Sequence, residues 1–340
     1  MAKDSAKYIL VTGAAGYIGS IVTEELIKGG QRIIALDNLT QGHRESVADG
    51  AVFIQGDLGD VKCLDGLFRD YPIESVVHLA ALTLVAESVA EPELYFRNNL
   101  VYGFNLLNIM CKYRVHKMVF SSSCAVYGHA DKETIGEDTP TNPISPYGEA
   151  KLAFERVLYW YARSCGLSSI SLRYFNAAGA SECYGEDHSP ETHLIPNVIR
   201  VALGQSPNIS VFGNDYPTRD GSCIRDYIHV IDIARAHTLA LQKLDRPGVS
   251  QSFNLGNGRG YSVLEVIDVT KKVTGAEIPV IFSERRPGDP PVLMADASLA
   301  RNKIGWQPKY TRLDTIIDSA YRWMKNHPLG YKRVQPELRV

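Results

Sequence analysis

The chain has 340 residues, of which 45% are hydrophobic and 22% are charged, and its formal net charge is −2. A chain of this length can bury a sizeable core and is long enough for about two domains. It carries neither the basic stripe of a nucleic-acid-binding protein nor an apolar run of the roughly 18 residues that a membrane span needs. The polar N-terminus and the scattered cysteines, without a C-x-x-C pair, predict a reduced, cytoplasmic protein with no signal peptide and mostly buried cysteines.

A glycine-spaced turn joins the first predicted strand, at 8–12, to an amphipathic stretch that begins at Tyr17. Strand, turn and helix together are typical of a dinucleotide site. We expect Gly13 to permit the tight turn, Gly16 to let the backbone approach a pyrophosphate, and Gly19 to let the helix pack closely on the strand. The spacing is G-x-x-G-x-x-G, and a βα turn that holds no ligand is the alternative interpretation.

Apolar segments that alternate with helical patterns predict the rest of a sheet. The predicted strands lie at 32–37, 51–57, 75–81, 117–123 and 168–174, and the helices between them at about 61–70, 93–113 and 147–165. This alternation predicts right-handed crossovers and an α/β fold with a Rossmann-type doubly wound parallel sheet. Ligands cross the carboxyl ends of such strands. The residues expected at that edge are Gly13, Asp37, Asp57, Ala80, Ala81 and 121–123.

Asp37 ends the second predicted strand, 18 residues after Gly19. A carboxylate near this position binds the ribose hydroxyls of NAD in dinucleotide-binding sheets. No arginine follows it immediately to accept a 2′-phosphate, which favours NAD over NADP. The alternative is that Asp37 only caps an Asp-Asn turn.

The alternation lapses from about residue 176. Glycine, proline and polar residues are frequent at 177–193 and 204–222, which is typical of a domain boundary or a ligand-binding insertion. The elements predicted beyond 176 are helices near 195–203, 231–244, 261–274 and 313–326, and extended segments at 252–255 and 278–283. We therefore predict an NAD-binding domain of residues 1–176 to which 228–256 return. A smaller, mixed α/β substrate-binding domain would comprise 177–227 and 257–340.

The polar stretch at 182–188 is the candidate for a metal site. Its possible ligands are Glu182, Cys183, Glu186, Asp187 and His188. Their spacing fits no zinc or calcium template, so we expect a polar loop and no metal site.

Tyr147 and Lys151 are one helical turn apart at the start of the predicted helix, so their side chains share a face. A free tyrosine has a pKa near ~10, and a nearby lysine cation should lower that pKa toward neutral and make the phenolate a usable base. A serine at the end of 117–123 can hydrogen-bond the reacting oxygen. The alternative is a buried tyrosine packed beside a lysine whose charged end reaches solvent.

Three segments, at 12–19 (TGAAGYIG), 121–128 (SSSCAVYG) and 147–151 (YGEAK), resemble the extended short-chain dehydrogenase/reductase family. The second half narrows the resemblance to the UDP-glucose/UDP-galactose 4-epimerases. The segments that do so are 173–176 (RYFN), 211–218 (VFGNDYPT), 225–232 (RDYIHVID) and 285–289 (RRPGD). The match extends from Tyr8 to about Met324.

The resemblance implies NAD-dependent interconversion of UDP-galactose and UDP-glucose. Tyr147 would take the proton of the sugar 4-hydroxyl while C4 passes a hydride to NAD⁺, and the hydride would return to the other face of the 4-keto sugar. Ser123, Tyr147 and Lys151 are the implied catalytic residues. The implied cofactor contacts are Gly13, Gly16, Tyr17, Ile18, Gly19, Asp37, Asn38, Asp57, Leu58, Leu79, Ala80, Ala81, Asn98, Ser121, Tyr147, Lys151 and Phe175.

The resemblance also implies which residues bind the UDP-sugar and how the chain assembles. The implied substrate contacts are Ser123, Tyr147, Asn176, His193, Leu194, Val211, Phe212, Arg225, Arg286, Asp289 and Leu293. A homodimer would form through the helices at about 93–113 and 147–165. Apolar side chains there that could serve this surface, or equally the core, are Ile109, Met110, Tyr159, Trp160 and Tyr161.

Several positions depart from the pattern or bear on rival functions. Thr83 stands where a lysine often contacts the cofactor, so we expect weaker retention of NAD. Leu293 is intermediate in size at the position where the family's side chain limits the size of the sugar 2-substituent. The hypothesis is therefore that N-acetylated UDP-hexosamines are also substrates.

Cys124 and Ala125 replace the acidic pair that a 4,6-dehydratase would need. Epimerases of UDP-xylose, UDP-arabinose or UDP-glucuronate, and a non-catalytic NAD-binding sensor, are the alternatives left open.

Overall fold

The computed structural model describes residues 7–129, 132–286 and 289–331. The ends of the predicted domains at residues 1 and 340, and the middle of the 285–289 motif, lie outside these residues. The strands are β1 (Tyr8–Thr12), β2 (Ile33–Asp37), β3 (Val52–Gln55), β4 (Ile73–His78), β5 (Lys117–Ser123), β6 (Thr134–Ile135), β7 (Ser168–Tyr174), β8 (Asn176–Ala178), β9 (Ile209–Phe212), β10 (Ile224–His229), β11 (Ser250–Leu255), β12 (Gly260–Ser262), β13 (Val280–Ser283) and β14 (Val292–Ala295). The helices are α1 (Tyr17–Lys28), α2 (Val61–Asp70), α3 (Val85–Ala90), α4 (Pro92–Phe96), α5 (Tyr102–Lys112), α6 (Pro146–Cys165), α7 (Leu194–Ala202), α8 (Val230–Leu241), α9 (Val263–Thr274), α10 (Ser298–Ile304) and α11 (Leu313–Asn326).

A seven-stranded sheet in the order β11-β7-β5-β4-β1-β2-β3 forms the centre of the molecule. Its neighbouring strands are all parallel. The chain runs outward from β1 to β3 and then crosses back to β4, so the strand order reverses between β1 and β4. The Rossmann-type doubly wound sheet expected from the sequence is confirmed, and its ligand crevice is expected at this reversal.

Successive side chains of β1 enter two different cores, as the alternation of a strand requires. Ile9 and Val11 pack in the core on the α1 and α8 side, whereas Leu10 packs in the core with α2, α5 and α6. Helices therefore cover both faces of the large sheet, which explains why its strands are almost continuously apolar.

The segments predicted at 231–244 and 252–255 do return to the large sheet. Helix α8 packs against α1, and β11 pairs in parallel with β7 along its full length. The remaining strands form a smaller sheet in the order β12-β10-β14-β6, with β8 beside β10, and a separate pair of β9 with β13. Helices α7, α9 and α11 pack around a core that includes Ile199, Val266 and Trp323. The second half is thus mixed α/β, as expected.

Some sequence-based expectations were wrong in detail. The helix expected at 93–113 is interrupted: α4 passes through a single π-helical segment, Arg97–Val101, into α5. The helix expected at 261–274 starts at 263, because Ser262 and Glu265 form a capping box at its N-terminus. Helix α10 was not predicted. The cysteines are not mostly buried, since only Cys223 is buried and Cys183 is exposed. Among the described residues no helix is both long and apolar enough to cross a membrane.

A buried ion pair joins the large sheet to α6. Arg173 on β7 donates from Nε and Nη2 to the two carboxylate oxygens of Glu155, at 2.9 and 2.5 Å, and both side chains are 8% exposed. Ser122 on β5 donates to the same carboxylate at 2.5 Å. Arg173 also donates to the hydroxyl of Tyr127 at 2.8 Å, and that hydroxyl donates to Asn254 on β11 at 2.7 Å. Ser252 on β11 also donates to the carboxylate of Glu155, at 3.2 Å, so this one carboxylate holds α6 against three neighbouring strands.

Removing this charge should destabilise the whole chain. We expect Glu155→Gln to lower the free energy of unfolding by about 3–5 kcal/mol, because Arg173 would remain buried without its counter-ion. Urea unfolding followed by circular dichroism measures the change. The matched control is Glu277→Gln, at an exposed position. Equal stability of the two variants would contradict the structural role given to Glu155.

Candidate active site

A cavity of about 1280 Å³ lies over the carboxyl ends of the large sheet and extends to the smaller sheet. Its walls include the ends of β1, β2, β4, β5 and β7 on one side, and residues of α7, β9, β10 and β14 on the other. Every predicted site residue lines it except Lys151 and Val211. The structure therefore places the candidate cofactor and substrate residues in one continuous space.

Val211 does not contribute its side chain to this cavity. It is 1% exposed and packs with Val198, Ile209 and Ile267 in a separate core. The neighbouring Phe212 lines the cavity instead, because successive side chains of a strand point to opposite faces.

The glycine turn after β1 is as tight as the sequence predicts. Gly13 has φ +70°, and a Cβ there would lie 2.6 Å from the backbone nitrogen of Ala80. A Cβ on Gly19 would lie 1.9 Å from the carbonyl oxygen of Gly13, whereas one on Gly16 would lie 3.4 Å from the same atom. Gly16 is the N-cap of α1 and has no side chain to occupy the helix start. The first residues of α1 line the cavity, and the N–H groups of a helix start suit a phosphate.

Asp37 both caps its turn and lines the cavity. Its carboxylate accepts hydrogen bonds from the backbone nitrogens of Ala15 and Leu39, at 2.9 and 2.8 Å. Burial raises its pKa above the usual aspartate value, and these two hydrogen bonds oppose the rise. Each carboxylate oxygen keeps capacity for a further donor, so the capping and ligand interpretations are compatible. Asn38 is held beside it by a 2.6 Å bond to Asp57.

Tyr147, Ser123 and Lys151 meet where α6 begins. Ser145 caps this helix, its hydroxyl accepting from the nitrogen of Gly148 at 3.2 Å, so Tyr147 falls in the first turn. Lys151 is 2% exposed; its ammonium donates to the carbonyl of Ser121 at 2.7 Å and lies 5.8 Å from the centre of the Tyr147 ring. Lys151 thus lies behind the cavity wall that Tyr147 forms, rather than reaching solvent.

The direction expected for the pKa of Tyr147 was wrong for the protein alone. Burial raises the pKa of Tyr147 to about 12, and hydrogen bonding with Ser123 opposes this only in part. Burial also lowers the pKa of Lys151 to about 7, although Glu155 acts in the opposite direction. Burial of the tyrosine itself decides the direction of its pKa shift, and the spacing of two residues along a helix does not reveal that burial.

Two guanidinium groups line the other end of the cavity. Arg225 is bonded through Nη1 to the carbonyl of Pro290 at 2.8 Å and through Nη2 to the carboxylate of Asp289 at 3.2 Å. Arg286 lies over the ring of Phe212, 3.9 Å from its centre. These contacts orient both groups before any ligand arrives, which suits the recognition of a diphosphate.

The loop before α7 holds a charged cluster that the sequence analysis did not assemble. Glu186 and His188 come from the stretch expected to be only a polar loop, but they meet Glu191 and His193, while Glu182 and Cys183 are exposed. His193 was predicted to bind substrate, and in the structure its ring contacts the carboxylates of Glu186 and Glu191. Burial lowers the pKa of His193, but the two carboxylates outweigh it and raise that pKa to about 10. The signal in the sequence was the pattern E-x-H-x-x-E-x-H at 186–193.

Comparison with known proteins shows the family to which the chain belongs. The model of the NAD dependent epimerase/dehydratase family matches residues 9–256. The UDP-glucose 4-epimerase of Halalkalibacterium halodurans is 50% identical, over 95% of this chain and 97% of that protein. The structure of the Brucella ovis UDP-glucose 4-epimerase in complex with NAD has a TM-score of 0.90 and 44% identity, over 93% of this chain and 98% of that one. The structure of the Bifidobacterium longum UDP-glucose 4-epimerase in complex with NAD⁺ and UDP has a TM-score of 0.90 and 38% identity. The match covers 95% of this chain and 100% of that one.

Proposed function

Because the chain belongs to the NAD dependent epimerase/dehydratase family, we propose that it interconverts UDP-galactose and UDP-glucose. The observation that carries this proposal is that Tyr147 and Ser123 line the same cavity as the glycine turn and the two guanidinium groups. A proton-transfer pair thus shares one cavity with residues suited to a dinucleotide and residues suited to a diphosphate.

The residues present fit NAD. Gly13 and Gly16 line the cavity at the start of α1, where the backbone suits a pyrophosphate, and Asp37 offers a carboxylate for ribose hydroxyls. When bound, NAD supplies a reversible hydride acceptor for C4 of the sugar. Thr83 also lines the cavity, but a threonine provides no cation there. Weaker retention of NAD therefore stays a prediction.

Tyr147 would take the proton of the sugar 4-hydroxyl and later return it. Its raised pKa means that the phenolate must be stabilised in the site, and Ser123 is the side chain whose hydrogen bonding already lowers that pKa. Lys151 lies behind Tyr147, outside the cavity, where its side-chain nitrogen donates to the carbonyl of Ser121 at 2.7 Å. Arg225 and Arg286 would bind the diphosphate and so orient the sugar toward Tyr147.

The catalytic role of Tyr147 can be separated from folding and from cofactor binding. We expect Tyr147→Phe to lower the turnover of UDP-galactose by about 10²–10⁴-fold, because the proton acceptor is lost. The control is Tyr159→Phe on the same helix, where the tyrosine is 48% exposed. NAD binding, followed by fluorescence, should be unchanged in both variants. Full turnover by Tyr147→Phe would refute the role, whereas NAD binding without turnover in the wild type would favour a sensor.

The choice of sugar is expected to depend on Leu293. This side chain lines the cavity and packs beside the small core that contains Phe175. We expect the wild type to epimerise both UDP-galactose and UDP-N-acetylgalactosamine, and Leu293→Tyr to lose only the N-acetylated substrate through steric exclusion. The anomeric NMR signals of each substrate, with and without added NAD, measure this. Undetectable turnover of the N-acetylated sugar by the wild type would contradict the hypothesis, and turnover of UDP-xylose alone would favour a pentose epimerase.

We further propose a cytoplasmic homodimer with two domains. The domains are residues 1–176 with 228–256, which would bind NAD, and 177–227 with 257–340, which would bind the sugar nucleotide. Ile109 and Met110 on α5 are buried in the core and so are not available to a dimer contact. The dimer proposal therefore rests on α6, where Tyr159 and Trp160 are 48% and 64% exposed. The cytoplasmic proposal rests on six cysteines that are all free.

The contribution of α6 to assembly can be tested by charge. We expect Trp160→Glu to convert the dimer to a monomer in sedimentation velocity, because a carboxylate would be buried at the contact. The control is Leu299→Glu, which introduces the same charge at an apolar side chain that is 36% exposed on α10. A dimer that survives Trp160→Glu, or a monomeric wild type, would contradict this surface.

A further inference from the structure

Four side chains in the loop before α7 converge on one point, and we name them the acid–histidine cluster: Glu186, His188, Glu191 and His193. One possible ligand atom from each lies within 4.8 Å of all the others. Nδ1 of His193 is 2.8 Å from Oε1 of Glu186 and 2.9 Å from Oε1 of Glu191. Nδ1 of His188 is 3.2 Å from Oε1 of Glu186 and 3.7 Å from Oε2 of Glu191. Both imidazoles therefore turn the same ring nitrogen toward the two carboxylates.

The two glutamates of the cluster are more deeply buried than its two histidines. The side chains of Glu191 and Glu186 are 1% and 7% exposed, whereas those of His188 and His193 are 23% and 49% exposed. Oε2 of Glu191 is buried and has no hydrogen-bond partner among the described residues. A buried carboxylate oxygen without a donor is costly, so its presence needs an explanation. A cation held between the four groups would supply one.

We propose that the acid–histidine cluster binds one divalent transition-metal ion, with Zn²⁺ as the best match. Two imidazole nitrogens and two carboxylate oxygens are ligands that Zn²⁺ uses, and two carboxylates balance its charge. Tetrahedral ligands with bonds of about 2.0–2.1 Å lie about 3.3 Å from one another. The two histidine nitrogens lie 2.8 and 3.2 Å from Oε1 of Glu186, and that of His188 lies 3.7 Å from Oε2 of Glu191. These separations surround that value, so small side-chain movements suffice.

The ion would be structural rather than catalytic. Four protein ligands complete a tetrahedral shell and leave no position for water or substrate. His193 is the N-cap of α7, and the ring of His188 stands edge-on to that of Tyr17 on α1, 6.2 Å between centres. Asp187, between two of the ligands, accepts through its carbonyl from the ring of His43 at 3.0 Å. The ion would thus stiffen the loop where the wall of the cavity meets the large-sheet side.

A metal ion bound by this cluster would contradict the expectation of a polar loop without a metal site. The spacing within 182–188 matched no template because half of the ligand set lies beyond it, at Glu191 and His193. The function proposed above does not depend on the ion, since none of the four side chains is assigned a chemical step there.

Metal content of the purified full-length chain tests the site directly. After reconstitution with ZnCl₂ and gel filtration, elemental analysis should find about one Zn²⁺ per chain in the wild type, as a closed four-ligand site requires. We expect Glu191→Gln to lose this metal, and Glu182→Gln, an exposed residue of the same loop, to keep it. The midpoint of thermal unfolding should rise with added Zn²⁺ in the wild type and in Glu182→Gln only.

A second measurement covers the case in which Glu191→Gln does not fold. Titration of the wild type with CoCl₂ should produce the strong visible absorption bands of tetrahedral cobalt, and these should disappear when Zn²⁺ is added in excess. Absence of both the bands and bound Zn²⁺ in the wild type would overturn the proposal. Equal metal content in the wild type and a folded Glu191→Gln would overturn it as well.

Discussion

The arrangement of the candidate site depends on one buried ion pair, Glu155 with Arg173. Because both groups are removed from water, their geometry must satisfy nearly every donor and acceptor, which holds α6 at a defined distance from β5, β7 and β11. Lys151 and Tyr147 lie on the same helix, about one and two turns before Glu155. Their position relative to the carboxyl ends of the strands therefore follows from a contact that touches neither of them.

The second constraint is close backbone approach at the start of the sheet. Gly13, Gly19 and the strand-end residue Ala80 leave no space for a Cβ between them, so α1 begins directly beside the end of β4. This brings the free N–H groups of the helix start to the same edge as Asp37 and Ser123. The cavity is deep because one wall is built from the large sheet and the other from residues that return much later in the chain.

Burial, rather than spacing, determines the electrostatics of the site. Tyr147 and Lys151 are adjacent on the helix as the sequence predicts, yet both are desolvated, and each is shifted toward its neutral form. The pKa of His193 is raised because two carboxylates surround it, which outweighs the opposite effect of burial. The balance between desolvation and charge pairing depends on side chains from several elements, so a motif by itself does not predict its direction.

The amino-acid sequence by itself determined the alternation of strands and helices, the glycine turn and the shared face of Tyr147 and Lys151. These features depend on periodicity and on residues within a few positions of one another. Only the tertiary structure decided that Glu155 holds α6, that Val211 faces a core instead of the cavity, and that Glu191 completes a cluster with Glu186. The physical reason is that burial and charge pairing depend on where side chains lie in space, which their spacing along the chain does not fix.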